Sequence, residues 1–349
     1  MSKHAIRTLP SLLVAATAAL WSAAPVQAQN AADFYKGKTI TIVVGTSAGG
    51  GYDTYARLIS RHMGKHIPGS PNIIVSNIPG AGSNVAAGYV YNVAAKDGTV
   101  IGAIYGGAPL EPLIGKTQVQ HDPSKSQYLG SANNDKYVCV VRKDAPVSNF
   151  GDLRNMEILF GASIASSTSD FSAVIAAVLG AKIRLVIGYA GSREIGLAID
   201  KKEVLGACGF AWPAISVTNS GWFGPEGSMK VLLQAHATGH PGLNREGVPK
   251  AIDFATTDEQ RQMLELFFSQ EVFGRPYVLA PQVPKDRAAM LRKAFAETLA
   301  DPELLAEAKR ASLEIDPVSG EDVEKLIAKV YAAPKPLLEK IRKALETAY

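Results

Sequence analysis

Residues 45 to 49 read Gly-Thr-Ser-Ala-Gly. This is the G-x-S-x-G spacing in which a serine on a sharp strand-to-helix turn becomes the nucleophile of a hydrolase. Ser47 would be that nucleophile. The run Lys38 to Val44 reads as a strand before it, and Tyr52 to His66 reads as a helix after it, so the local context is present. The rest of the machinery is not. A hydrolase of this kind draws an oxyanion donor from a loop after an earlier strand, and no strand precedes this one. It also needs an acid and then a histidine downstream. Beyond the elbow's own helix the choices are His121, His236 and His240, none in a persuasive strand-end context. A lone motif is a hypothesis only.

The same stretch supports a different chemistry. Gly49, Gly50 and Gly51 reach backbone angles closed to other residues, so peptide amides at a helix N-terminus can approach a ligand closely. That end of a helix carries unpaired donors and about half a positive charge, and it holds a carboxylate or phosphate without any arginine. Ser47, Ala48, Gly49, Gly50, Gly51 and Tyr52 would form the cradle, with Asp53 capping the helix behind it. The loop lacks Gly-Lys-Ser/Thr, so it is not a nucleotide P-loop. It also lacks a G-x-G-x-x-G with an acidic residue about twenty positions on, which argues against a dinucleotide.

Two further glycine-rich turns sit at predicted strand ends: "NIPGAGSN", Asn77 to Asn84, and "YGGAP", which carries Gly106 and Gly107. Farther along, the hydroxyl-rich "GASIASSTSD" offers Ser163, Ser166 and Thr168 ahead of a helix. "GYAGSREIGLAI" offers Tyr189, Gly191, Ser192 and Glu194, where Ser192 also reads as a plain N-cap with Glu194 favoured by the dipole. "CGFAW" ends a strand near Trp212, a residue that can close over a ligand or sit in a core. His62 and His66 are four apart and share a helix face, but no third ligand or adjacent glutamate suggests zinc, so they read as a solvated or packed face. His236 and His240 read as loop residues. No metal or cofactor is expected.

These positions need elements to hold them. Strand and helix signals alternate along the whole chain, the pattern of α/β domains with parallel sheets and right-handed crossovers. The 349 residues suffice for two domains. The first 28 read as a signal peptide: a basic start at Lys3, His4 and Arg7, an apolar stretch from Leu9 to Trp21, and a small-x-small end at Val26-Gln27-Ala28. Setting aside Lys3 and Arg7, the 36 Lys and Arg against 32 Asp and Glu leave a balance of +2, which points to neither nucleic acid nor an anionic membrane. Cys139 and Cys208 both lie in apolar, strand-like runs. In an oxidising compartment an even pair invites a disulfide, with buried free thiols as the alternative.

The stretches "GTSAGGGYDTYARL", "NIPGAGSNVAAGYVYNVAAKDGTVIG" and "GYAGSREIGLAIDKKEVLGA" resemble the solute receptors of tripartite tricarboxylate transporters, the Bug family of periplasmic binding proteins. The likeness is densest from Tyr35 to Gly107. It implies a two-lobed, type II Venus-flytrap α/β fold with a mainly parallel sheet in each lobe. Residues 29–136 and 272–349 would form lobe 1, and 137–271 lobe 2, with hinges near Ser131 to Lys136 and Ser269 to Pro276. The resemblance further implies a monomer whose cleft holds a small organic acid by backbone amides of the Ser47–Gly51 loop, the Ser163–Ser169 loop and the Tyr189–Ser192 turn. Its partners would be membrane permease subunits, and its location the periplasm. The commoner family loop carries a proline and two glycines, where this chain has Ser47-Ala48 and three glycines. A secreted serine hydrolase and a receptor that signals to a membrane kinase are the rival readings.

Overall fold

The computed structural model describes residues 31–114 and 119–346; the segment read as a signal peptide lies outside the described residues. Runs of β-branched residues form the strands and glycine turns end them. The strands are β1 (Thr39–Val44), β2 (Asn72–Asn77), β3 (Val100–Ala103), β4 (Gln127–Ser131), β5 (Tyr137–Arg142), β6 (Ile158–Ala162), β7 (Ile183–Ile187), β8 (Gly206–Ala211), β9 (Met229–Gln234), β10 (Pro276–Leu279) and β11 (Val318–Ser319). The longer helices are α1 (Gly51–Met63), α2 (Ser167–Leu179), α3 (Ser192–Asp200), α4 (Asp258–Phe268), α5 (Lys285–Leu299), α6 (Pro302–Arg310), α7 (Gly320–Tyr331) and α8 (Lys335–Glu346).

Two sheets result. One runs β11-β4-β10-β3-β1-β2 and the other β7-β6-β8-β5-β9. Each has a parallel heart, β2-β1-β3 in the first and β7-β6-β8 in the second. Each is then extended by antiparallel pairs, β10 against β3 and β4, and β5 against β8 and β9. The parallel hearts follow from short strand–helix–strand crossovers. Two of the antiparallel strands, β5 and β10, are those the chain enters after crossing from the other sheet.

The chain crosses between sheets from β4 to β5 and again into β10, within the segments the sequence marks as hinges. The crossings touch: a β-carbon on Gly274 would stand 2.7 Å from Cβ of Asp135. A further crossing follows Tyr331. Helix α8, assigned to lobe 1 from the sequence, lays Leu338, Ile341 and Leu345 into the same core as Phe171, Val174 and Phe267, and so packs on helices of the second sheet.

Cys139 and Cys208 are joined by a disulfide across the β5–β8 pair, both fully buried. The register shifts there, between Val138 and Val140, and Gly209 takes φ +72°. This is a bulge with glycine in the left-handed position.

His62 and His66 sit on α1 and the turn after it and face α6. Nε2 of His62 lies 2.7 Å from Glu307 Oε2, and Nε2 of His66 lies 2.8 Å from Asp301 Oδ2. They join an ion-pair seam with Lys65 and Arg61, the packed-face reading of the pair. No described helix is long and apolar enough to cross a membrane.

Candidate functional site

The Ser47–Gly51 loop leaves the carboxyl end of β1 and enters α1. All five residues are exposed. Gly49 has φ +80°, and Gly50 is the N-cap, with φ −80° and ψ 172° and no capping side chain. The first amides of α1 therefore have no intrahelical partner. Asp53 is nearly buried and draws the loop back over itself. Its Oδ2 accepts from the Gly49 amide at 2.9 Å and from Arg57 Nε at 2.8 Å, and its Oδ1 accepts from Asn77 Nδ2 at 3.0 Å. Burial works against the charge, but donors from Arg57, Gly49 and Asn77 outweigh it and hold the carboxyl below its usual range. The Gly49 amide is thus committed to Asp53, whereas Gly50 and Gly51 open the helix.

Ser83, from the second glycine turn, locks three loops together. Its hydroxyl donates to the Gly45 carbonyl at 3.1 Å and accepts from the Tyr105 amide at 3.0 Å. Gly45 permits this approach, because a β-carbon there would fall 2.3 Å from Ser83 Cβ. Gly106 does not face a ligand. Its amide donates to the Tyr52 hydroxyl at 3.3 Å, which in turn donates to the Gly274 carbonyl at 2.8 Å. Tyr52 and Gly106 therefore tie the loop to the second crossing. Gly107 lines a small cavity with Gly82, Asn84 and Ala165.

In the second lobe the hydroxyls are mostly spent on the loop itself. Ser166 Oγ donates to the Ser163 carbonyl at 3.0 Å and lies 2.8 Å from Thr168 Oγ1, which accepts from the Ser163 amide at 2.9 Å. Ser163 Oγ, Thr46 Oγ1 and Asn84 Oδ1 are buried without partners. The turn before α3 is capped by Gly191, not Ser192: the helix begins at Ser192 itself, one residue earlier than a serine cap would set it. Ser192 and Glu194 lie exposed in the first turn. Tyr189 is half-buried, its ring packed over Gly161, where a β-carbon would stand 3.3 Å from it. It forms a wall of the lobe.

Trp212 follows β8. Its ring meets those of Phe223 and His240 at 4.9 and 6.4 Å. It lines a groove of about 410 Å³ that lobe 1 closes with Leu305, Leu313 and Ile315. The structure thus ties the second glycine turn, through Ser83, to Gly45 at the root of the Ser47–Gly51 loop and brings Gly82 against Ala165 of the Ser163 loop, while Trp212 faces the groove it shares with Leu305, Leu313 and Ile315. All the glycine-rich and hydroxyl-rich loops lie at carboxyl ends of parallel strands, where open α/β sheets take ligands.

No histidine among the described residues is hydrogen-bonded to Ser47. His121 is half-buried against the Tyr91 ring, His236 accepts amides of Thr238 and Gly239, and His240 accepts the Gly242 amide.

One residue beside the cradle is absent from the sequence reading. Arg275 is 6% exposed, and its guanidinium lies 3.1 Å from where a Gly51 β-carbon would be. The signal was a lone cation between Gly274 and Pro276 at the head of an apolar strand.

No family model matches the chain. It is 35% identical over 137 residues to a UPF0065 protein in the gbd 5′ region of Cupriavidus necator, 39% of this chain, and it spans 40% of that relative's length. Among solved structures it superposes on a TctC solute-binding protein from Polaromonas with TM-score 0.62 at 20% identity, over 88% of this chain and 99% of that one. This chain has the fold of the tripartite tricarboxylate receptors. Two further solved structures are similar: MatC of Rhodopseudomonas palustris with bound malate, TM-score 0.63, 17% identity, over 88% and 99% of the chains, and an R. palustris protein with adipate, TM-score 0.66, 19% identity, over 88% and 97%. The two-lobed α/β fold that the resemblance implied is borne out by these likenesses.

Proposed function

We propose that this chain is an exported, periplasmic solute receptor that closes two lobes on a small organic carboxylate and delivers it to the permease subunits of a tripartite membrane transporter. The observation that carries the reading is the meeting of two strand-to-helix loops across the cleft. Gly82, in the turn locked to the cradle, approaches the Ala165 carbonyl of the Ser163 loop. On this reading the groups that face the ligand come from both lobes, and only a ligand that touches both can favour the closed state. The malate and adipate of the similar structures are carboxylates, which fits an amide-lined site. The lobes divide at the two crossings, with 29–136 and most of 272–349 on one side. The receptor acts as a monomer, and its exported form begins after the signal segment.

A thermal-shift screen of carboxylates, aromatic acids and amino acids tests this reading. At about a hundred times its dissociation constant, a ligand adds roughly 2.7 kcal/mol of stability. Stabilisation by an acid supports the receptor; labelling of Ser47 by a fluorophosphonate, with no acid stabilising the protein, would replace it with the hydrolase.

A further inference from the structure

Arg275 heads β10 just after the second crossing. Its guanidinium carbon lies 4.6 Å from the Tyr52 ring centre and 4.5 Å from that of Tyr55, so it rests against two aromatic rings of one α1 face. The ring faces attract the cation but accept none of its in-plane hydrogen bonds. The adjacent carboxylate is that of Asp135, whose Oδ1 is 3.5 Å from Nη2. That carboxylate is already engaged by Asn133 Nδ2 at 3.1 Å and faces the Tyr137 hydroxyl at 3.4 Å. Nε and Nη1 have no hydrogen-bond partner.

A buried charge is costly unless paired and hydrogen-bonded. Asp135 accounts for one nitrogen of three. The position sharpens the imbalance. A β-carbon on Gly51 would stand 3.1 Å from Nη1 and 3.2 Å from Nη2, so the cation rests on the first residue of a thirteen-residue helix. That is where the helix's own positive end lies. Asp135, 3.5 Å from Nη2, offsets the guanidinium charge from one side only, and an anion at the helix end would be drawn to both positive sources. The glycine keeps only a hydrogen between the guanidinium and the cradle.

We propose that Arg275 is a specificity-determining residue: its guanidinium, seated against Gly51, reads the charge of the carboxylate held by the α1 amides, so the site takes ionised acids and rejects their neutral amides. This rests on the carboxylate-receptor reading given above. It adds that discrimination comes from a fixed side-chain charge as well as from backbone donors.

The test is calorimetry with malate, adipate and their diamides on the whole protein, wild type and Arg275→Met, with Arg275→Lys as the charge-retaining control. The expected result is that wild type binds at least one acid at least tenfold more tightly than its diamide. Arg275→Met should lose that ratio, and Arg275→Lys should keep most of it. A purely structural arginine would weaken acid and amide alike and leave the ratio unmoved, which would overturn the proposal while sparing the receptor reading. If neither acid nor diamide binds wild type, the receptor reading for these acids fails and the proposal falls with it. Should Arg275→Met not fold, the ¹⁵N resonance of the wild-type Arg275 Nε decides. It shifts on adding the acid and not the diamide if the proposal holds, and stays still with bound acid if it is wrong.

Discussion

Gly82 and Ala165 meet across the cleft: a β-carbon added to Gly82 would stand 2.9 Å from the Ala165 carbonyl oxygen. Gly82 also holds φ 58° and ψ 41°, the left-handed region. Lobe contact therefore depends on a missing side chain. Gly82→Leu should prop the lobes apart. Scattering with saturating ligand should give a larger radius of gyration than wild type, and affinity should fall at least tenfold. An unchanged radius and affinity would show that this contact plays no part in closure.

Gly50→Pro is a clean way to delete one amide. Its φ of −80° is close to the value proline imposes, and a β-carbon there meets nothing closer than the Ser47 carbonyl at 3.6 Å. The fold should survive, with circular dichroism unchanged. Losing one hydrogen bond to a charged group costs about 1.5–3 kcal/mol, or roughly 10- to 150-fold in affinity by calorimetry. Normal binding would place the ligand away from this amide.

Gly209 is a structural key to the second lobe. A β-carbon on it would fall 2.1 Å from the Ser167 carbonyl oxygen, and its φ is +72°. Gly209→Ala should push the Ser163–Thr168 loop off β8. Overpacking of this kind costs about 1–3 kcal/mol, seen as a lower urea midpoint, and binding should weaken beyond the loss of stability.

The crossings carry two buried titratable groups with opposite linkage. Burial, aided by Lys136 and opposed by Asp316, pushes His236 down to about 4 from 6.5. The unfolded chain therefore takes up a proton first as pH falls, and the part of the stability tied to neutral His236 should decline from pH 6.5 towards 4 by about 3 kcal/mol. Glu271 is fully buried with neither oxygen hydrogen-bonded, its Oε2 lying 3.8 Å from His236 Nε2, and burial raises it well above its usual value. The stability tied to its proton is present below the unfolded value of 4.5 and is lost as pH rises. Glu271→Gln should therefore gain on wild type progressively between pH 5 and pH 8 in urea titrations. A gain independent of pH would assign Glu271 an ionised state in the fold.

The parts of this molecule that announce themselves in the sequence are local. β2 runs from Asn72 to Asn77, the span its β-branched residues and flanking turns mark out, and β7 from Ile183 to Ile187 likewise. What stayed hidden is long-range. β4 carries only Tyr128 and Leu129 as large apolar residues, and its partner β10 arrives from far along the chain, so neither periodicity nor turn chemistry reveals the antiparallel insertion. The site divides the same way. Glycines that expose amides are visible as letters. The spending of the Ser166 and Thr168 hydroxyls on their own loop, the Gly49 amide on Asp53, and the approach of Arg275 to Gly51 are consequences of folding that spacing does not encode.

The most direct measurement is a crystal structure with the acid that gives the largest thermal shift. The account predicts a carboxylate oxygen within about 3.2 Å of the Gly50 or Gly51 amide, with a group from the Ser163–Thr168 loop on the ligand's other side. A ligand seated instead in the groove between Trp212 and Leu313, with the α1 amides facing water, would contradict it.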